Sequence, residues 1–139
     1  DAEGPMRLAS LLPDSAREAG CYPCLVDNVD GVQVIGIASL LRAIVEDHRR
    51  GTEAALISAR FHNTVIQAIR EVVRRVSNAH RIRTVVLSGG VFQNAYLLAE
   101  TERVLAGDGC IVRSHQLVPS NDGGISLGQL AVAAWKRSL

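Results

Sequence analysis

The stretch TVVLSGGVFQNAYLLAETERVLAGDGCIVR, residues 84–113, decides the fold class. Thr84-Val-Val-Leu87 is a short β-branched run broken by Ser88-Gly89-Gly90, the pattern of a strand buried on both faces. From Val91 to Leu105 the apolar residues return at helical spacing, Gly107 and Gly109 stop the helix, and Cys110-Ile-Val-Arg113 supplies a second strand. A helix of this length suits the crossover between parallel strands, and such units are right-handed almost without exception. The two strands should therefore end at the same sheet edge, where their loops meet. The second of these loops is Asn121-Asp122-Gly123-Gly124, which closes the turn segment from Pro119 and precedes a last amphipathic helix with Ile125, Leu127, Leu130, Ala131 and Ala134.

Ligands of open α/β sheets bind just outside the carboxyl ends of the strands, so these two loops form the expected site. Gly89, Gly90, Gly123 and Gly124 remove the Cβ that would keep a phosphate from the backbone, and the helix after each loop turns free N–H groups and a partial positive charge outward. Ser88 adds a hydroxyl donor, and Asp122 adds a hard oxygen ligand for the divalent cation that accompanies nucleotide phosphates. Asn94, on the first turn of its helix, offers a donor and an acceptor to a ribose or base. The residues alone leave blander roles open: Gly-Gly as a plain turn, Asp122 as the cap of the last helix, Asn94 on an exposed turn. No Gly-Lys-Ser/Thr follows the glycines, no Gly-x-Gly-x-x-Gly occurs, and Ser88 lacks the Gly-x-Ser-x-Gly elbow of a hydrolase. Histidines at 48, 62, 80 and 115 have no i, i+4 pairing that would build a metal site on a helix. The sequence thus nominates no catalytic nucleophile.

Outward from this region, Leu8, Leu11 and Leu12 mark a short helix ending at Pro13, and the runs 23–27 and 32–35 flank Asn28-Val-Asp-Gly31 as a hairpin. One helix runs from Ala38 to Gly51, and a longer one carries Phe61, Val65, Ile69, Val72 and Val76 on one face with Arg70, Arg74 and Arg75 on the other. With no aromatics interleaved, that basic face reads as solvated surface and not as a phosphate patch. The length of 139 residues predicts a single domain, 1–139, around one core. With 47% hydrophobic and 21% charged residues and a net charge of +1, disorder is excluded, and neither a nucleic-acid nor a membrane partner is expected. Three cysteines, with Cys21-x-x-Cys24 lacking a second pair, fit a reducing, cytoplasmic setting. The opening at Asp1, without Met or a leader, suggests a piece of a longer protein.

Leu87-Ser-Gly-Gly-Val-Phe-Gln-Asn94 together with Asn121-Asp-Gly-Gly-Ile-Ser-Leu-Gly-Gln129 resembles the C-terminal part of the hydrogenase-maturation carbamoyltransferases of the HypF family. Asp1-Ala-Glu-Gly4, Arg60-Phe-His62 and the order of the segments extend the likeness over essentially the whole chain. The resemblance implies a lobe of the actin-like ATPase fold (ASKHA, ribonuclease H-like): α/β, three-layered, with a partly parallel sheet and flanking helices. It also implies an enzyme that joins ATP and carbamoyl phosphate into carbamoyl-adenylate and passes the carbamoyl group to a cysteine of a HypE-type maturation protein. By motif, Asp122 would ligate Mg²⁺ or another divalent metal, Asn94 would contact the nucleotide, and Ser88, Gly89, Gly90, Gly123 and Gly124 would surround its phosphates. Glu3 would touch the ribose. The full-length enzyme would have room for bound iron or zinc, with a His-x-x-x-His pair supplied from outside these residues, so the isolated fragment should not turn over. The tRNA threonylcarbamoyl enzymes share the Ser-Gly-Gly-Val opening and are the alternative, but their second motif reads Thr-Asp-Asn where this chain has Asn121-Asp122-Gly123. A different class, a non-catalytic binding or scaffold module, would use both loops only as turns.

Overall fold

The computed structural model describes residues 3–137 and divides into two compact units, one up to Ile82 and one from Arg83 onward, where the sequence predicts one core. In chain order the elements are α1 (Glu3–Ser10), β1 (Leu25–Val29), β2 (Val32–Gly36), α2 (Ile37–Arg49), α3 (Ala54–His80), β3 (Thr84–Leu87), α4 (Ala95–Gly107), β4 (Ile111–Ser114) and α5 (Ile125–Arg137). Short 3₁₀ turns cover Ala16–Ala19, Gly90–Gln93 and Asp122–Gly124. The fold is α/β. Among the described residues the strands form two separate two-stranded sheets, so the single sheet of a three-layer lobe is not what these residues make by themselves. No helix among them is long and apolar enough to cross a membrane.

In the first unit β1 and β2 pair antiparallel, with Val29 opposite Val32. The turn is therefore tighter than the predicted Asn28–Gly31: Asp30 and Gly31 both have positive φ (51° and 84°), as a type I′ hairpin turn requires. Asn28 Oδ1 accepts the Gly31 N–H at 2.9 Å and supports it. Of the predicted apolar stripe of α3, Phe61, Val65, Ile69 and Val72 are only half-buried and Val76 is exposed, whereas Ser58, Ala59, His62, Thr64, Ile66 and Ala68 lie deepest. Small and polar residues win there because they meet backbone partners at close range. Ser58 Oγ donates to the Leu8 carbonyl at 2.6 Å, the Tyr22 N–H donates to Thr64 Oγ1 at 2.8 Å, and Asn63 Nδ2 donates to the carbonyls of Ala16 and Gly20. Arg60, from the Arg-Phe-His motif, binds the Ala19 carbonyl and reaches Asp47 at 2.6 Å, while the Tyr22 hydroxyl donates to the same carboxylate oxygen at 2.8 Å. The basic face of α3 is tied down locally, with Arg74 and Arg75 both on Glu71 and Arg75 also on Gln33.

These bonds give the unit a defined pH window. The hydroxyl of Tyr22, then the guanidinium of Arg60, hold the Asp47 carboxyl below its usual range, and Arg74 and Arg75 bring Glu71 from 4.5 down to about 2. Burial, then the Asp47 carboxylate, pushes Tyr22 up from 10.0 to about 12. A depressed carboxyl stabilises the fold above its unfolded pKa and is lost as pH falls through the folded value; a raised phenol stabilises below its unfolded pKa and is lost as pH rises through the folded one. Stability should thus hold between about pH 4.5 and 10, decline below it toward about 2 and above it toward about 12. Urea melts across that range should show the alkaline decline flattened in Tyr22→Phe and the acid decline reduced in Glu71→Gln.

In the second unit β3 and β4 are adjacent and parallel, from Thr84 opposite Ile111 to Leu87 opposite Ser114, with α4 as the crossover. The helix begins at Ala95, not Val91, because Asn94 has an extended ψ of 106° and its Oδ1 accepts the Leu97 N–H at 3.0 Å, the geometry of an N-cap. It ends in a Schellman motif at Gly109, φ 81°, with Gly109 N–H on the Ala106 carbonyl and Cys110 N–H on that of Leu105. That last bond keeps Cys110 out of the strand, which starts one residue later than predicted. Leu87, Leu97, Thr101 and Leu105 form the core of this unit. Burial of β3 on both faces does not hold: Leu87 is 4% exposed and Val86, on the other face, 67%.

Candidate nucleotide site

Parallel pairing with no slip places the loop leaving β3 beside the loop leaving β4, and the two do meet. The Gly89 N–H donates to the Ser120 carbonyl at 2.9 Å, and Ser88 Oγ lies 2.8 Å from His115 Nε2. Gly89, φ 102°, is the bend that turns the chain out of the strand into the Gly90–Gln93 turn, and only a glycine adopts that conformation without strain. Beyond the loops, Leu87, Phe92, Leu98, His115, Leu117 and Val118 are among the residues lining a cleft of about 310 Å³. None of the predicted site residues lines it.

Several of the individual residues take roles other than those the sequence suggests. Gly123 and Gly124 do not offer free amides, because Gly123 N–H is held by Asn121 Oδ1 at 3.0 Å and Gly124 N–H by the Asn121 carbonyl at 3.0 Å. What they lack, a side chain, matters for packing: a Cβ on Gly123 would stand 3.0 Å from Asn121 Oδ1 and one on Gly124 3.0 Å from the Pro119 carbonyl. Gly90 is different, since its added Cβ would meet nothing within 4 Å and its φ lies outside the left-handed region. No internal contact accounts for glycine at position 90. Its place at the head of a helical turn, where the first N–H groups have no intrahelical acceptor, suits an incoming anion.

Asp122 is exposed, and no hydrogen bond or ion pair holds its carboxylate among the described residues. The 3₁₀ turn Asp122–Gly124 that leads into α5 is capped by its neighbour Asn121. No group of three or more His, Cys, Asp or Glu side chains able to hold a metal ion occurs among the described residues, so Asp122 would be one ligand of an ion whose others come from elsewhere. Asn94 is occupied as the cap of α4, and Glu3 belongs to the first unit, exposed and 3.6 Å from Arg7. Asn94→Ala should therefore cost about 0.5–2 kcal/mol in stability through the lost cap alone. Asn94→Asp keeps the cap, and thermal melts of the two variants check the assignment.

His115 is the residue that sequence reasoning missed. The strand bounds read from the sequence are offset by 26 residues and do not bring it out; the observed register sets partners 27 positions apart, and Ser88 and His115 are the next such pair.

This architecture, a parallel strand pair whose loops carry Ser-Gly-Gly and Asn-Asp-Gly-Gly, is that of a carbamoyltransferase Kae1-like domain: residues 1–129 match the model of that domain's second subdomain. The chain is 32% identical over 136 residues to the carbamoyltransferase HypF of Rhodobacter capsulatus, covering 98% of this chain and 17% of that one. It is 33% identical over 122 residues to HypF of Synechocystis sp., covering 88% and 15%. A crystal structure of full-length HypF in its phosphate- and nucleotide-bound form superimposes with a TM-score of 0.88 at 40% identity, over 96% of this chain and 17% of that chain. The chain belongs to the HypF carbamoyltransferase family, and it spans about a sixth of the length of these relatives.

Proposed function

We propose that this chain is the nucleotide-facing lobe, of actin-like (ASKHA) descent, of an ATP-dependent carbamoyltransferase. Its parent enzyme would form carbamoyl-adenylate from ATP and carbamoyl phosphate and carbamoylate a cysteine of a HypE-type protein during nickel–iron hydrogenase maturation, in the cytoplasm. The observation that carries the reading is the meeting of the two loops at one sheet edge, with Gly90 open to the outside and Asp122 uncommitted. The solved HypF that this chain matches holds phosphate and nucleotide, which supports the same reading.

In this reading the Ser88 hydroxyl and the N–H groups opening the Gly90–Gln93 turn bind phosphate oxygens, and Asp122 supplies one carboxylate oxygen to a divalent ion. When bound, that ion neutralises phosphate charge. Gly89, Gly123 and Gly124 act by shaping the loops, and Asn94 by fixing the start of α4 beside the phosphates. Positioning across a two-lobed cleft is needed for catalysis, so the chain alone should bind weakly and not turn over. Titration of the 139-residue chain with ATP and Mg²⁺, monitored by amide NMR, should shift the signals of Ser88–Gly90 and Asn121–Gly124 together. Unmoved signals in both loops at millimolar nucleotide would return them to the role of turns.

A further inference from the structure

We propose that His115 is a positioning residue for phosphate binding: its Nε2–H donates to Ser88 Oγ and thereby turns the Ser88 hydroxyl hydrogen toward a phosphate oxygen. The inference rests on the nucleotide reading of Ser88 and goes beyond it. A serine hydroxyl has one hydrogen to donate, and phosphate oxygens only accept. Were His115 to accept at Nε2, 2.8 Å away, Ser88 would give its hydrogen to the ring and face the phosphate with lone pairs. Binding an anion at Ser88 therefore requires His115 as the donor, which selects the ring form protonated at Nε2. In that chain, His115 N–H to Ser88 O–H to phosphate, each bond polarises the next.

The pair is held where such precision is useful. Ser88 comes directly after Leu87, 4% exposed in the core, and His115 directly after Ser114, whose hydroxyl donates to Glu102 at 2.6 Å and accepts from Gln116 Nε2 at 3.2 Å. The strands thus fix both Cα positions, and residues level in a parallel pair project to the same face.

The test is a double-mutant cycle in the full-length enzyme carrying this chain, with ATP·Mg²⁺ affinity by calorimetry and adenosine affinity by competition. Ser88→Ala should weaken ATP roughly tenfold and His115→Phe roughly fivefold, the order of one charge-assisted hydrogen bond. The double variant should be no weaker than Ser88→Ala alone. His115→Gln, which keeps an N–H donor, should recover most of the loss, and adenosine, having no phosphate, should bind all variants alike. Equal losses for ATP and adenosine would make His115 a mere tie between strand ends and overturn the proposal, as would a His115→Phe that binds ATP normally while Ser88→Ala does not. If Ser88→Ala itself leaves ATP affinity unchanged, the nucleotide reading of Ser88 fails first and takes the proposal with it.

Discussion

Asp122→Asn in the full-length enzyme should reduce metal-dependent carbamoyl-adenylate formation by at least about 100-fold, while the melting temperature stays where it was. The substitution nearly preserves shape and, in the proposed reading, would remove one negative charge from the ligands of the divalent ion that Asp122 would help to hold, where changes even one shell further out commonly cost about 10–100-fold. Stability should not respond, because the Asp122 carboxylate has no hydrogen bond or ion pair among the described residues and the cap of this turn is Asn121. The contrast with Asn121→Ala sharpens the measurement: that variant loses the bond to Gly123 N–H and should loosen the loop, lowering stability and activity together. Near-normal turnover by Asp122→Asn would defeat the metal-ligand role and most of the proposed mechanism.

The strand, helix and strand of residues 84–113 were legible because they are encoded locally: a β-branched run, a helical period, and glycines at the breaks. The meeting of the loops was legible too, since handedness and parallel pairing require it. What was not legible depends on who hydrogen-bonds whom. Asn94 and Asn121 read as candidates for ligand contact or as loop residues, and both proved to be caps, a role settled by one ψ angle and one acceptor distance. In α3 the periodicity correctly marked a helix but misjudged its deepest face, because Ser58, His62 and Thr64 are buried, and Ser58 and Thr64 bond backbone partners that lie far away in sequence. Burial of β3 on both faces also failed to appear, and α5 shows the same excess, with Leu127 53%, Leu130 68% and Trp135 62% exposed. A β-branched run predicts that a face can be buried, not that the covering element is present, and these residues span about a sixth of their relatives' length.

Gly90→Val and Gly124→Val should fail in opposite ways, although the sequence presents the two glycines as equivalent halves of one phosphate cradle. At Gly90 an added Cβ meets nothing within 4 Å and φ is ordinary, so the valine variant should fold and melt like the parent. Its branched side chain would occupy the space above the first N–H groups of the Gly90–Gln93 turn, where the proposed phosphate would sit, and ATP affinity of the full-length enzyme should fall at least tenfold, about 1.4 kcal/mol. At Gly124 the Cβ would lie 3.0 Å from the Pro119 carbonyl and 3.1 Å from Val118 Cγ1, against backbone and a neighbouring side chain that cannot both yield. That variant should lose roughly 1–3 kcal/mol of stability, the usual cost of overpacking, and its nucleotide affinity only as a consequence. Gly89→Val is the poorer probe, since its φ of 102° would mix backbone strain with any loss of binding. Calorimetry and thermal melts on the Gly90 and Gly124 variants therefore separate a loop that holds a ligand from one that holds itself. A folded Gly90→Val enzyme with unchanged ATP affinity would remove the phosphate from this loop.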